Sequence, residues 1–510
     1  MSIVRSISRY VVPAAVAVHI VLAILLSATL SVWVDESYSM AATSGTFAEM
    51  LHQADRFEGQ PPVYFAILWV WRCINESVFW GRMLSVVFSV LAIIVSARVV
   101  RLVLSKIHPG FVIVPISVHP LTVYAATELR VSSLLLFISA VLLFLYVKAF
   151  LEYDFDRRYL LAYGFVSLVA LYTHQYFGFL LVANACALFG VGRWRPLAWY
   201  MAAMAIVGLL YVPEALSVVH QVQMHEVHTP TNRGWIGMLL SMIERGFRYA
   251  LPIQGVPFIE MTPSRKLFIP LILVLGAGAV LFRRRRSITP IFLALWISLA
   301  GLALAFTIAT SVLGVTPPKP HHTATLFLLV HLCVFGVIQL FANPMQWRVA
   351  AVWSCVATIC GFMALVDTYK PGAKTGDWKR VASYIEAHER EGQPIVVFIA
   401  ESALPLAYYY HGANMLVPIP QAEDFKAYDM REQVLHGPGD IEAALQTAEP
   451  RGDTMWVVTG CDANTCNWLG IDFRIEVLEA YLADHYTLED DTHFFKSRVR
   501  RYTAKHPDLE

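Results

Sequence analysis

Long apolar runs follow one another from Val11 to Val366, and charges in that stretch come only in small clusters between them. A helix needs about 20 consecutive apolar residues to cross a bilayer core. The runs therefore predict a polytopic α-helical membrane protein with about eleven spans, at about 11–33, 82–100, 110–126, 131–148, 159–174, 177–192, 197–213, 267–282, 288–311, 323–341 and 349–367. Of the 510 residues, 57% are hydrophobic and 15% charged. A soluble chain has about 45–50% and about 25%. The deficit of charge ends near Asp367, and beyond it the composition is that of a soluble protein. Two domains are expected, a membrane domain over 1–367 and a water-soluble α/β domain over 368–510. A net charge of +1 gives bulk electrostatics no reason to attract nucleic acid. No basic tract with interleaved aromatics lies outside the membrane part.

Arg5 and Arg9 precede the first run, which is longer than the apolar core of a signal peptide and reads as an uncleaved first span. Basic residues concentrate on the cytoplasmic side of spans. Alternate connections hold Arg5 and Arg9; Arg98, Arg101 and Lys106; Lys148, Arg157 and Arg158; Arg193 and Arg195; Arg283 to Arg286; and Arg348. If these lie inside, the long connections at about 34–81 and 214–266 lie outside, and an odd number of spans delivers the C-terminal domain outside too. The chain shows no eukaryotic retention signal, which favours a bacterial inner membrane.

Past Asp367 the pattern alternates. Helical spacing covers Asp377–Glu391, Ala403–Tyr410, Asp440–Ala448 and Arg474–His485, and strand-like runs cover Pro394–Ala400, Met415–Pro418, Met455–Thr459 and His493–Tyr502. That is a small α/β layer domain without a glycine-rich phosphate fingerprint. Cys461 and Cys466 lie close together on the outside face, where an oxidising compartment lets them pair.

Candidate chemistry gathers on the outside connections. Asp35-Glu36-Ser37-Tyr38 follows the first span directly, and the same loop holds Asp55, Arg56 and Glu58, then Gln60-Pro61-Pro62-Val63-Tyr64. On residue type alone, the paired acids suit a helix N-terminus. Equally, two carboxylates at a membrane surface suit a base and an orienting group for an incoming hydroxyl. Further turns on that face read Thr127-Glu128-Leu129-Arg130 and Leu171-Tyr172-Thr173-His174-Gln175-Tyr176. Ionisable residues at span ends also simply snorkel to the headgroups. The second outside loop reads as a cover. Its His220, His225, Glu226 and His228 fit no zinc spacing, and its stripe of Trp235, Met238, Leu239 and Met242 suits the interface.

In order along the chain, these motifs resemble those of the GT-C glycosyltransferases, in the superfamily of protein O-mannosyltransferases and bacterial aminoarabinose and galacturonosyl transferases. The first-loop acidic pair followed by an aromatic is Asp35-Glu36-Ser37-Tyr38. The acid before a Pro-Pro-aromatic segment is Glu58, ahead of Pro61-Pro62-Val63-Tyr64. The turns at Glu128-Leu129-Arg130 and Leu171–Tyr176, and Asp377-Trp378-Lys379-Arg380 opening the soluble domain, continue the series. Two places depart from it: Gln60 stands where the family has His, and Pro317-Pro318-Lys319-Pro320-His321-His322 replaces an Arg-Tyr pair near span ten.

The resemblance implies transfer of a sugar from a polyprenyl phosphate to an acceptor hydroxyl of a lipid, glycan or protein, by inverting single displacement on the outer face. It implies Asp35 as base, with Glu36 and Glu58 orienting the acceptor or binding a cation, and Tyr38, Gln60 and Glu128 as further site candidates. Arg82, Arg130, Lys319 and His174 are candidates for the donor phosphate, since cationic donors suit it. No cofactor or metal is required, though a divalent ion bridging Asp35 and phosphate would be compatible. Two rivals remain. A transporter would show inverted repeats and mid-membrane ionisable groups, but no repeat is visible, and His19, His119 and His331 read as hydrogen-bonded packing. A catalytically silent scaffold of the same fold is the other.

Overall fold

In a computed structural model, the structure describes residues 2–152, 156–224, 234–253, 278, 288–311, 320–426, 428–448, 452–461, 466–468 and 471–505. The run expected at about 267–282, Arg283 to Arg286, Lys319, and the side chains of His220, His225, Glu226 and His228 lie outside the described residues. Contacts divide the chain into two compact units: Met1–Ala28, Gln60–His220 and Pro230–Thr368 form one, and Thr29–Gly59, Gln221–Thr229 and Tyr369–Glu510 the other. The stretch Thr29–Gly59, the first part of the connection at about 34–81, thus groups with the C-terminal residues, and the rest of that connection with the other unit.

The helices up to Tyr369 are α1 (Ser2–Thr29), α2 (Val34–Ala42), α3 (Phe47–Arg56), α4 (Val63–Arg72), α5 (Val78–Val103), α6 (Gly110–Ser117), α7 (Pro120–Ala126), α8 (Ser132–Tyr146), α9 (Arg157–Leu171), α10 (Phe177–Gly190), α11 (Trp194–Met224), α12 (Trp235–Ala250), α13 (Pro290–Ser311), α14 (Ala324–Ile338) and α15 (Met345–Tyr369). Among the described residues, six stretches are long and apolar enough to cross a membrane: Arg9–Thr29, Val78–Val103, Ser132–Leu151, Trp194–Val219, Pro290–Ser311 and Met345–Tyr369. The expected single span at 110–126 is instead broken into α6 and α7. Pro120 disfavours helical backbone at His119, which turns extended and caps α7 by accepting from the Leu121 N–H.

Several buried polar side chains in the membrane unit are held by hydrogen bonds that link helices or close onto the backbone. His19 bonds Ser117 O at 2.7 Å and Ser89 Oγ at 2.9 Å, joining α1, α5 and α6. The Tyr146 hydroxyl donates to Asn184 O at 2.9 Å, and Asn184 Nδ2 to the Tyr163 hydroxyl at 3.1 Å. Ser298 Oγ donates to Asn184 Oδ1 at 3.0 Å, which brings in α13. His331 bonds Phe327 O, one turn back on α14. The mid-span histidines are therefore packed by hydrogen bonds.

The second loop is largely helical where it is described. Its start is helical, because α11 runs on to Met224, and α12 folds back onto α13 and α14 with Met238 and Met242 buried. The apolar stripe faces protein because helical spacing places Met238, Met242 and Tyr249 on one side, while Trp235, Ile236 and Leu240 on other sides stay exposed.

Beyond Tyr369 the elements are α16 (Trp378–His388), β1 (Ile395–Phe398), α17 (Ala403–Tyr409), β2 (Leu416–Pro418), α18 (Pro438–Gln446), β3 (Thr454–Thr459), a small hairpin of β4 (Asn467–Trp468) and β5 (Ile471–Asp472), α19 (Ile475–His485), β6 (Tyr486–Phe494) and β7 (Ser497–Ala504). The main sheet has the order β2-β1-β3-β7-β6, with β2, β1 and β3 parallel and β7 and β6 antiparallel. Strand alternation sends Ile395, Val397, Trp456 and Val458 to one face, under α16 and α17. Val396, Phe398, Met455 and Val457 go to the other face, with Ile441, Leu445, Leu478 and Leu482 of α18 and α19. β1 is buried along its whole length, as a central parallel strand is. The closing strand expected at 493–502 is a hairpin of two. The exposed Thr487–Glu489 stretch of β6 lacks an apolar pattern, and the ladder is irregular between Leu488 and Asp490. Cys461 and Cys466 form a disulfide.

Candidate active site

α2 opens at Trp33, whose backbone is extended and whose side chain makes no capping bond. Asp35 and Glu36 follow in the first turn, where a carboxylate is favoured by the helix dipole. They are thus not side-chain caps: the cap position belongs to Trp33. Glu36 is fully buried, whereas Asp35 keeps partial exposure and is reachable from solvent. Ser39, one turn past Asp35, donates to Glu58 Oε1 at 3.4 Å, so Glu58 is tied to the helix that carries Asp35. Gly59 then takes a φ of +57°, a left-handed conformation that suits glycine.

Tyr38 sits in a ring cluster with residues from beyond Tyr369. Its centroid lies 4.9 Å from Phe57, 5.7 Å from Tyr428 and 6.4 Å from Phe425, all edge-on. Its hydroxyl donates to Glu401 Oε2 at 2.6 Å. Burial, and then the Glu401 carboxylate, push this phenol well above its ordinary range, so it stays a donor. Gln433 Nε2 donates to Glu423 at 3.0 Å, and Gln433 Oε1 accepts from the Glu401 N–H at 3.4 Å. Burial, followed by Glu401, Asp424 and Glu432, pushes the Glu423 carboxyl up to about 7.

A pH dependence follows. Unfolded, a Glu titrates near about 4.3, so between that value and about 7 the folded protein holds the extra proton. The contribution of Glu423 is fully present below about 4.3 and is lost as pH rises through the folded value. Thermal midpoints measured from pH 5 to pH 8 are expected to fall more steeply in the native protein than in Glu423→Gln. Equal slopes would contradict this.

The candidates of the membrane unit take several roles. Arg82 is 1% exposed, and its Nη1 donates to Ser27 O at 2.8 Å, in the last turn of α1, where a cation suits the dipole. Glu128 is buried. Its Oε1 accepts from Ser132 Oγ at 2.7 Å, and its carbonyl from Ser85 Oγ at 2.6 Å. Arg130 and Gln60 are half-buried.

His174 is brought to residues that sequence reading did not single out for the site. Its ring lies 5.3 Å from that of His322 and 4.8 Å from that of Tyr176, and Tyr176 is itself 5.3 Å from His322. The neighbouring Thr323 accepts from Arg245 Nη1 at 3.2 Å and bonds the Tyr249 hydroxyl. The turn after α9, the short 3-10 helix Pro320–Thr323 and α12 thus gather two imidazoles, a guanidinium and three hydroxyls. The signal that could have found Arg245 was its spacing: it shares the α12 face of Met238, Met242 and Tyr249, a cation on a buried stripe. Glu244 and Arg248 pair with each other one turn apart instead.

No family model matches the sequence, and no curated protein matches it. Solved structures match over nearly the whole chain. ArnT from Cupriavidus metallidurans in the apo state aligns with a TM-score of 0.54 at 14% identity, over 96% of this chain and 97% of that one. The same protein bound to undecaprenyl phosphate gives 0.53, 14%, 96% and 97%. The chain has the GT-C fold. An Archaeoglobus fulgidus oligosaccharyltransferase tethered with an acceptor peptide also aligns, at 0.49 and 11% identity over 98% of this chain and 75% of that one. The GT-C fold and the apolar helices make this an integral membrane protein whose C-terminal part carries a sheet.

Proposed function

We propose that the protein is a membrane glycosyltransferase that moves a sugar from a polyprenyl phosphate to an acceptor hydroxyl on the outer face of the membrane, with inversion. The observation that carries the reading is a reachable carboxylate, Asp35, in the first turn of a helix directly after the first apolar helix. The chain aligns over 96% of its length with a structure bound to undecaprenyl phosphate, and that lipid phosphate motivates the donor class.

In this mechanism Asp35 accepts the proton of the acceptor hydroxyl as its oxygen attacks the anomeric carbon. The bond from that carbon to the phosphate oxygen breaks on the opposite side, and polyprenyl phosphate leaves with the electron pair. Glu36 is buried and steadies the first turn of α2, and Glu58 with Ser39 orients the acceptor. The leaving phosphate calls for charge and hydrogen-bond donors; Arg245, Arg130 and Lys319 are the proposed cations, and the His322 and His174 imidazoles the proposed N–H donors. Arg82, bonded to the end of α1, serves mainly to hold α5 there. The reaction as written needs no cofactor, and a divalent ion on Asp35 stays an option to test by chelation.

The test is transfer by purified protein in proteoliposomes supplied with synthetic polyprenyl-phosphate hexoses and pentoses. Release of free polyprenyl phosphate, dependent on the protein, is expected with at least one donor. No release from any donor by folded protein would remove the transferase reading. The basic connections support a topology with the N-terminus inside and the C-terminal domain outside. An impermeant thiol reagent added outside is accordingly expected to label Thr46→Cys and to spare Arg284→Cys, and the reverse pattern would invert the topology.

A further inference from the structure

The parallel strands β2, β1 and β3 end at one edge of the main sheet, and in open α/β sheets the crevice beyond such carboxyl ends is where ligands bind. Glu401 follows the end of β1, and Glu423 follows the end of β2. Here the ground beyond those ends is taken by a piece of the same chain. The Tyr38 hydroxyl donates to Glu401 across 363 residues of sequence, and its ring closes against Phe57, Phe425 and Tyr428. A second tether lies beside it: the Val32 N–H, at the entry to α2, donates to the Tyr409 hydroxyl at 2.9 Å, on the helix that begins just after Glu401. Gln433 links the two acidic residues, its Oε1 accepting from the Glu401 backbone N–H and its Nε2 donating to the Glu423 carboxylate. Glu401 is 8% exposed, and a carboxylate so buried is tolerated only when its partners hold it. Asp35 lies three residues before Tyr38, on the same side of α2. Fixing the Tyr38 hydroxyl therefore fixes the rotation of the helix that carries Asp35.

We infer that Glu401 is a positioning residue: through Tyr38 it locks α2 against the carboxyl edge of the sheet and so sets the aim of the Asp35 carboxylate. The catalytic consequence rests on the transferase reading, whereas the lock on α2 does not.

Two readouts separate these parts. The first is amide hydrogen exchange of residues 34–42 in the full-length protein, with the amides of β1 and β3 as the fold control. Losing a charge-assisted hydrogen bond in Glu401→Ala or Tyr38→Phe is expected to speed exchange in α2 about tenfold or more, with β1 and β3 unchanged. Glu401→Gln, which keeps an oxygen acceptor at the same reach, is expected to restore most of the protection. The second readout is transfer kinetics. Both disruptive variants are expected to lower kcat about tenfold with donor KM unchanged, and the double variant to fall no further than the worse single, because one bond is being removed twice. Unchanged α2 exchange in Tyr38→Phe, which removes a single oxygen and keeps the ring, would overturn the lock even if Glu401→Ala failed to fold. Faster exchange with kcat intact, additive losses in the double, or a rise in donor KM alone would overturn the positioning role. If the native protein transferred from no donor, the transferase reading would fall, and the exchange result alone would decide whether Glu401 locks α2.

Discussion

Asp35→Asn is expected to cut sugar transfer at least about a hundredfold, the low end for removal of a general base, while expression, membrane insertion and thermal midpoint stay near those of the native protein. The control is built into the geometry. Asp35 occupies the first turn of α2 without capping it, so asparagine loses the charge and the basic oxygen at little cost to the helix. The dipole interaction forgone at a partly exposed site is worth about 0.3–1 kcal/mol, too little to unfold a domain. A purely structural Asp35 would accordingly leave transfer nearly intact. Near-normal release of polyprenyl phosphate by a well-folded Asp35→Asn protein would remove the centre of the mechanism. The base would then pass to Glu58, since Glu36 is fully buried.

Arg245→Ala carries the second large effect, on the donor side. A hydrogen bond to a charged group is worth about 1.5–3 kcal/mol, which at about 1.4 kcal/mol per tenfold corresponds to about a 10- to 150-fold rise in donor KM. Arg245 also bonds Thr323, next to His322, so its loss can loosen the 3-10 turn that presents the imidazole. Arg245→Lys separates the two contributions: the ammonium keeps the charge but not the planar fork, so it is expected to recover part of the donor affinity. Donor KM measured with short-chain polyprenyl-phosphate sugars decides the matter. Unchanged KM in both variants would take Arg245 out of phosphate binding and return that role to Arg130 and Lys319.

Much of the fold was legible because its signals are local. Among the described residues, nine of the apolar runs coincide with one helix each and a tenth, at 110–126, with two, and the soluble-domain helices and parallel strands fall within a few residues of their expected places, since periodicity is written within each segment. The misses had local causes as well. His119-Pro120 broke one run in two, and a solvent-facing strand without an apolar face, Tyr486–Phe494, went unread. The candidate site divided along the same line. Asp35, Glu36 and Tyr38 stood out because they adjoin one another after a long apolar run. Glu401 in Ala400-Glu401-Ser402 carries no pattern of its own, and only its place after a parallel strand marks it.

The amino-acid sequence by itself determined a helical membrane part, an alternating α/β part after it, and an acidic pair at the head of the first loop. Each is a property of neighbouring residues: apolar length against the bilayer, period of burial, adjacency of charge. Only the tertiary structure decided that Thr29–Gly59 belongs with the C-terminal residues, that Tyr38 finds Glu401 363 positions away, and that His174 meets His322 near Arg245. Those pairings depend on which surfaces close over one another. A hydrogen bond between distant residues leaves no period or spacing in the chain, because its partners are brought together by the burial of everything around them.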